Sequence, residues 1–413
     1  MSKVIIRNIG PIHEAHIDLN KVNVFMGPQS SGKSTLAKII SFCTWLDKRH
    51  ARDGFFNIVK KDEKSGLKLI DELKRYHRLS NGYFRENSSI AYDGEEIAFS
   101  YNCDLIADDL VSIVETDDGC QLGFKTMRRK QSDKVIYIPS ERNFVSAIYN
   151  LNEYLRDKDL IQDFVNNWYE AKRKYSKDKQ MTLLNLGVRY HNDGEDLDRL
   201  TLDSGEELPL QIASSGLQAV TPLIILFDFI ARGIYSDSRP MSVSQRDKLL
   251  KQYNEMVSEL EKGGGSIKRD DLETLFNLII TKNYNRSQFI IEEPEQNLFP
   301  ITQRDLVYYM LQVFNESPQD HRLTFTTHSP YILYALNNCM MGGLLQDKLP
   351  SVNLEQLQCK SAFIDPAKVS VYEIEDGKLH NIQQEDGLIG TNYLDRNMKE
   401  LMDDFYIMLN HYE

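Results

Sequence analysis

Residues 22–35 read VNVFMGPQSSGKST. A short apolar run, Val22–Met26, enters a loop with a glycine at each end, and the following TLAKIISFCTWLDKR repeats its apolar residues at helical spacing. Gly27-Pro28-Gln29-Ser30-Ser31-Gly32-Lys33-Ser34 fits G-x-x-x-x-G-K-[ST] at every fixed position, within the strand–loop–helix setting that this pattern requires. The glycines let the backbone curl until successive N–H groups point inward at an anion. A helix starting near Gly32 adds the positive end of its dipole. Lys33 is therefore expected to reach the β- and γ-phosphates of ATP, Ser34 to ligate Mg2+, and Thr35 to complete the nucleotide-contacting stretch.

A second stretch, FIIEEPEQNLFP (Phe289–Pro300), ends an apolar strand on two adjacent carboxylates. Buried carboxylates are costly unless paired or bound to a metal. Beside a phosphate loop the pair acquires two separate uses. Glu292 is expected to support Mg2+ through bound water, since that ion keeps several waters. Glu293 is expected to face the γ-phosphate as general base for the attacking water. Farther on, RLTFTTHSP (Arg322–Pro330) is a β-branched strand followed by His328 and a Ser-Pro helix start, which places His328 where a γ-phosphate sensor would lie.

The order of these three motifs resembles the ABC-type ATPases of the RecF, SMC and OLD group. The resemblance covers residues 1–145, 200–232 and 286–413. It implies an α/β fold: a P-loop NTPase with an ABC-ATPase head, whose mixed central sheet carries an antiparallel β subdomain, plus helical insertions. It also implies a signature segment, which Ala213-Ser214-Ser215-Gly216-Leu217-Gln218 resembles. Ser214, Ser215 and Gly216 would then reach across a dimer to the γ-phosphate of the partner's ATP. Pro294–Leu298 resembles the D-loop at that dimer interface. DKVIYIPSERNFVSA (Asp133–Ala147) stands where the group has its Q-loop, with Glu141, Arg142 and Asn143 in place of the glutamine; Arg142 could meet phosphate, a partner or a structural counter-ion.

Over 413 residues, 41% are hydrophobic and 27% charged, which is ordinary globular composition. The balance of 49 basic against 61 acidic residues, a net charge of −12, argues against a general nucleic-acid coat protein. TMRRKQSDK (Thr126–Lys134) and AKRKYSKDK (Ala171–Lys179) are the two candidate DNA-contacting runs. Five cysteines without CxxC spacing argue against disulfides or zinc, and neither a signal peptide nor a long apolar run is visible, so a cytoplasmic protein without membrane contact is expected.

The chain divides into an N-terminal ATPase lobe (1–143), a helical insertion (144–199), the signature segment (200–240), a helical arm (241–285) and a C-terminal lobe (286–413). SIAYDG, EIAFSYN, LVSIVET and CQLGFK read as strands of the antiparallel subdomain, VSVYEIEDGKLHNI as a closing hairpin, and YLDRNMKELMDDFYIML as a terminal amphipathic helix. No Toprim-like carboxylate cluster follows His328, so a head acting on a nuclease or toxin in trans is expected. The functional expectation is an ATP-hydrolysing, nucleotide-gated homodimer or higher homo-oligomer joined by an ATP sandwich, serving as sensor or regulator of a bacterial anti-phage system with a separate effector. The alternative is a RecF-like repair clamp on DNA ends or gaps.

Overall fold

A computed structural model describes residues 2–60, 68–125, 133–148, 151, 159–194, 197–235 and 284–412. The chain opens with the hairpin β1 (Ser2–Ile9) and β2 (Ile12–Leu19), then β3 (Val22–Met26), α1 (Lys33–Lys60) and α2 (Leu69–Tyr76). Next come β4 (Phe84–Asp93), β5 (Ile97–Tyr101), β6 (Leu110–Glu115), β7 (Cys120–Lys125) and β8 (Lys134–Ile138), followed by α3 (Phe144–Ala147) and α4 (Leu160–Lys172). Four short strands, β9 (Met181–Thr182), β10 (Val188–Asn192), β11 (Asp198–Leu202) and β12 (Glu207–Pro209), precede α5 (Ser215–Asp228). The C-terminal part runs β13 (Ser287–Glu292), α6 (Pro300–Glu316), β14 (Arg322–Thr327), α7 (Pro330–Leu345), α8 (Ser351–Gln356), β15 (Val369–Glu375), β16 (Lys378–Asn381) and α9 (Tyr393–Leu409).

Twelve of the described strands form one mixed sheet in the order β6-β7-β5-β4-β1-β2-β16-β15-β3-β14-β13-β8. From β15 to β8 the neighbours run parallel. Strands β3 and β13 are buried at every position, as a sheet covered on both faces demands, and apart from Asn23, Ser287, Gln288 and the final Glu292 their residues are apolar. On the other side, β1 pairs antiparallel with β2 and β4, and β2 alternates buried and exposed residues. The hairpin β15–β16 joins the two halves: β15 lies parallel to β3, with Tyr372 stacked on Phe25 at 5.6 Å, and β16 meets β2.

The expected antiparallel subdomain is present, but the helical reading of 144–199 needs correction. It holds for α4, whereas Met181–Pro209 forms a separate four-stranded antiparallel sheet. Here Val188, Tyr190 and Leu200 point inward at a period of two across short turns, and strands this short leave little of that period to read. The arm over 241–283 and the basic run 126–132 lie outside the described residues.

Helix α5 is the centre of the core. Its residues Ala219–Phe227 are all buried, and Phe227 packs on Phe289 of β13 and Phe314 of α6. The continuous helical stretch Ser215–Gly233 is long and apolar enough to cross a membrane by composition, yet its apolar girth is spent against the sheet. Helix α9, by contrast, buries none of its residues and is held at its start by the Asn392/Asp395 capping box and the Arg396–Glu373 ion pair.

Candidate nucleotide-hydrolysis site

Parallel register brings the C-terminal ends of β3, β14 and β13 to one edge of the sheet, with Thr326 opposite both Phe25 and Glu292. In sheets of this kind the crevice beyond the strand ends is where ligands sit. The phosphate loop, the double glutamate and His328 therefore meet in space although they are far apart in sequence.

The loop curls as its sequence requires. Gly27 has φ +150°, and a Cβ there would lie 2.8 Å from the Ile374 carbonyl oxygen, so the strand β15 leaves room only for glycine. The Lys33 ammonium is buried in the curl of its own loop and donates to the carbonyls of Gly27 (2.9 Å) and Pro28 (2.7 Å). Burial pushes this ammonium down to about 8, while the charges of Glu293 and Glu295 oppose the shift.

Glu292 is held from two sides. Ser34 Oγ donates to one carboxylate oxygen and the Tyr137 hydroxyl, from β8, donates to the other. A hydroxyl and a carboxylate in contact at a helix start are hard oxygen donors of the kind Mg2+ takes. Among the described residues no cluster of three or more His, Cys, Asp or Glu could hold a metal without help. The donor set thus fits an ion that completes its shell with phosphate and water, with Ser34 and Glu292 as the protein groups that would hold it. Tyr137 carries no local signal of a site residue, because its relation to Glu292 depends on the parallel pairing that sets Tyr137 opposite Ile290. Replacing it, Tyr137→Phe, is expected to raise the Mg2+ concentration needed for half-maximal turnover by about tenfold, as loss of an outer-shell partner does; a Mg2+ titration of the ATPase rate checks this.

Glu293 sits past the strand end at φ +42°, a left-handed backbone that turns its side chain away from the direction of Glu292. Its Oε1 lies 3.3 Å from His328 Nε2. That contact is the main cause holding the Glu293 carboxyl below its ordinary value, against burial that pushes the other way. Removing the imidazole, His328→Ala, should let the Glu293 carboxyl climb back. A base whose proton affinity rises is lost at a higher pH, so the acid limb of the kcat profile should move to higher pH; an unmoved limb would show that the pair does not set it.

Glu295 lies within the segment expected to be the D-loop, yet its side chain turns inward. The residue is half-buried with its carboxylate inward, accepts from Thr327 Oγ1 (2.9 Å) and from the His328 backbone N–H (2.6 Å), and has one buried oxygen with no partner among the described residues. Burial raises its carboxyl above the usual range. Among the described residues, Arg142 makes no hydrogen bond to a carboxylate or to the phosphate loop: its guanidinium is fully buried and donates to five backbone carbonyls.

Ser214 caps α5 and Ser215 begins it, both exposed, and the Ser214 side chain makes no capping hydrogen bond. Gly216 packs so closely on the turn Pro294–Leu298 that a Cβ would lie 2.8 Å from the Asn297 carbonyl oxygen. Exposed Ile212 (71%) and Phe299 (80%) flank this junction in sequence. No hydrogen bond among the described residues joins Ser214, Ser215 or Gly216 to the Lys33 loop.

Of the candidate DNA runs, Ala171–Lys179 is partly neutralised: Lys172 is buried against Asp198 and Lys177 pairs with Glu207.

A phosphate loop between a parallel strand and its helix, an acid pair at the next strand but one, a histidine between them and an antiparallel subsheet define an ABC-type P-loop ATPase head. The sequence profile of the AAA domain family matches residues 3–262, and the chain belongs to that family. Among solved structures, the chain is similar to an SMC head domain from Thermotoga maritima, at 10% identity and a TM-score of 0.35 over 93% of this chain and 98% of that one. It is also similar to an Smc head domain with an extended coiled coil, bound to the C-terminal domain of ScpA derived from Pyrococcus furiosus: 11% identity, TM-score 0.39, over 98% and 99% of the two chains. A nucleotide-free ATP-binding cassette from an ABC transporter matches at 11% identity with a TM-score of 0.27, over 94% and 93%. No relative matches among curated proteins.

Proposed function

We propose that this ATPase works as a nucleotide-gated homodimer and serves as the sensor or regulator subunit of an anti-phage defence system, acting on a separate effector protein. The observation that carries the dimer is the exposed N-terminus of α5. The Ser214 side chain makes no capping bond, and this helix end offers unfilled N–H groups to an anion supplied from outside the chain. ATP held by Gly27–Thr35 of one protomer would meet Ser214, Ser215 and Gly216 of its partner.

Each chain then performs five tasks. The loop N–H groups and Lys33 bind the β- and γ-phosphates, and Ser34 and Glu292 would hold Mg2+, whose charge offsets that of the phosphates. Glu293 accepts a proton from the attacking water as its oxygen bonds to the γ-phosphorus and the bond to the β-phosphate oxygen breaks. His328, beside Glu293, orients that carboxylate and senses the γ-phosphate. Loss of the bridging phosphate then loosens the dimer and frees the parts attached to it.

A partner in trans is favoured by α9, whose Met398, Leu401, Phe405 and Met408 are all exposed on a helix that buries none of its residues, although packing of an apolar face is what ordinarily stabilises a helix. The test is to express Glu293→Gln in the native host with ATP and identify what copurifies. A nuclease- or toxin-like protein in fixed ratio is expected. DNA alone, lost at high salt, would overturn the regulator reading.

A further inference from the structure

We propose that Arg142 is a positioning residue that ties the signature helix α5 to the backbone of Glu293, and so couples the partner-facing end of each protomer to its own hydrolytic base. The inference rests on the proposed ATP-sandwich reading and assigns a device within it.

The geometry is specific. The Arg142 side chain is fully buried, and the partners of its guanidinium among the described residues are backbone carbonyls. Nη1 donates to Pro139 (3.3 Å) and Glu292 (2.9 Å), Nη2 to Glu293 (3.0 Å) and Pro294 (3.1 Å), and Nε to Ala219 of α5 (3.1 Å). A guanidinium has five N–H donors in a rigid plane, and these five acceptors use that number. Burying a cation without a carboxylate is expensive, so the cost has to be offset by bonds that a smaller or neutral residue could not make.

Those carbonyls need such a partner for a local reason. Strand β13 ends at Glu292, Glu293 turns to φ +42°, and Pro294 has no N–H to give, so the Glu292 and Pro294 carbonyls fall outside the ladder and depend on Arg142, while the Glu293 carbonyl accepts from the Gln296 N–H (3.1 Å) as well as from Arg142. On the opposite side, Pro222 inside α5 removes the N–H that would bond the Gln218 carbonyl. Ser146 Oγ donates to that freed carbonyl at 3.0 Å, one residue from the Ala219 carbonyl that Arg142 takes. The segment Pro139–Ala147 is thus bonded at one end to the turn that carries Glu293 and at the other to the first turns of α5.

The functional consequence follows from which ATP each part would touch. Glu293 acts on the nucleotide in its own chain, whereas the N-terminus of α5 would meet the nucleotide of the partner. A shift of α5 on meeting that nucleotide is passed through Ala219, Gln218 and Arg142 to the carbonyls on both sides of Glu293. Coupling of this kind makes the two sites of a dimer fire together.

The experiment compares wild type with Arg142→Lys, Arg142→Met and Ser146→Ala, using equilibrium binding of ATP in the absence of hydrolysis and ATPase rates over a range of ATP concentrations. Wild type is expected to give a sigmoidal rate curve. The Arg142 variants should bind ATP within about threefold of wild type and lose at least about tenfold in kcat, because a small misplacement of a base is costly while the phosphate loop is untouched. Their curves should become hyperbolic, with Arg142→Lys retaining more kcat than Arg142→Met. Wild-type kcat and sigmoidicity in Arg142→Lys would overturn the proposal, as would a proportionate loss of ATP binding, which marks a purely structural role. If both Arg142 variants misfold, Ser146→Ala decides: a flattened curve at unchanged ATP affinity supports the coupling, and an unaltered curve overturns it. Glu293→Gln, run alongside, separates the two levels, since wild-type turnover in that variant would sink the base assignment itself, whereas its loss together with unaffected Arg142 variants would sink only the coupling.

Discussion

Glu293→Gln is expected to keep ATP and lose turnover by about 10²- to 10⁴-fold, the usual contribution of a positioned general base. The substitution preserves the shape and length of the side chain. Its amide can still stand beside His328 Nε2, and the backbone at φ +42° remains held by the carbonyl bonds to Arg142. What disappears is the carboxylate proposed as the proton acceptor. The phosphate loop, Lys33, Ser34 and Glu292 are untouched, so nucleotide affinity should be close to that of wild type. Quench-flow with labelled ATP measures the chemical step directly, and light scattering on the same sample reads the associated state. ATP-dependent dimers that persist for as long as ATP remains intact are the expected outcome. Hydrolysis by this variant at the wild-type rate would remove Glu293 from the role of base.

The second large effect concerns where the signature residues act. Lys33→Ala should abolish hydrolysis by removing the buried ammonium of the phosphate loop, and Gly216→Asp should abolish it by forcing a charged side chain between α5 and the Asn297 carbonyl. Each variant alone is expected to lose about 10²-fold or more in rate, the scale of removing one charge-stabilising group. Mixed and allowed to exchange, they should regain activity. Random pairing makes half the dimers mixed, and each mixed dimer holds one site with an intact loop and an intact Ser214–Gly216, so at most about a quarter of the wild-type sites return, each slowed by the loss of coupling through the altered α5 of its own chain. Recovery above either variant alone, up to that ceiling, would establish that Gly216 serves the partner's nucleotide. Mixtures that stay inactive while ATP-dependent dimers still form would place Gly216 in its own chain's site and remove the composite active site.

Much of this site is legible in the amino-acid sequence, because its chemistry is concentrated in short runs. A loop that must curl around phosphate needs Gly27, Gly32 and Lys33 within a few residues, and an acid pair at a strand end needs only Glu292 and Glu293 side by side. The same locality makes β4, β5, β7 and the hairpin β15–β16 recognisable, since their apolar residues and turns lie close together. The sheet over 181–209 is hidden from such a reading because strands of two to five residues hardly establish a period.

Arg142 and Glu295 show the other limit. In the sequence each is one polar residue in a polar turn, with a phosphate, a partner or a structural counter-ion expected beside Arg142 and a dimer face beside Glu295. Folding turns both inward, where Arg142 gathers carbonyls from three segments and Glu295 fastens the turn Pro294–Leu298 to the N–H of His328. Tyr137 is hidden for the same reason: 155 residues separate it from the Glu292 that it holds.

The amino-acid order alone therefore carries the chemistry of the phosphate loop, the acid pair and the histidine, because backbone conformation and helix polarity are local properties. Which groups hold that chemistry in place is settled by strand register and by the seating of α5 on the sheet. Hydrogen bonding is short-ranged in space and indifferent to distance along the chain, so those partners exist only once the tertiary fold has brought them within about 3 Å of one another.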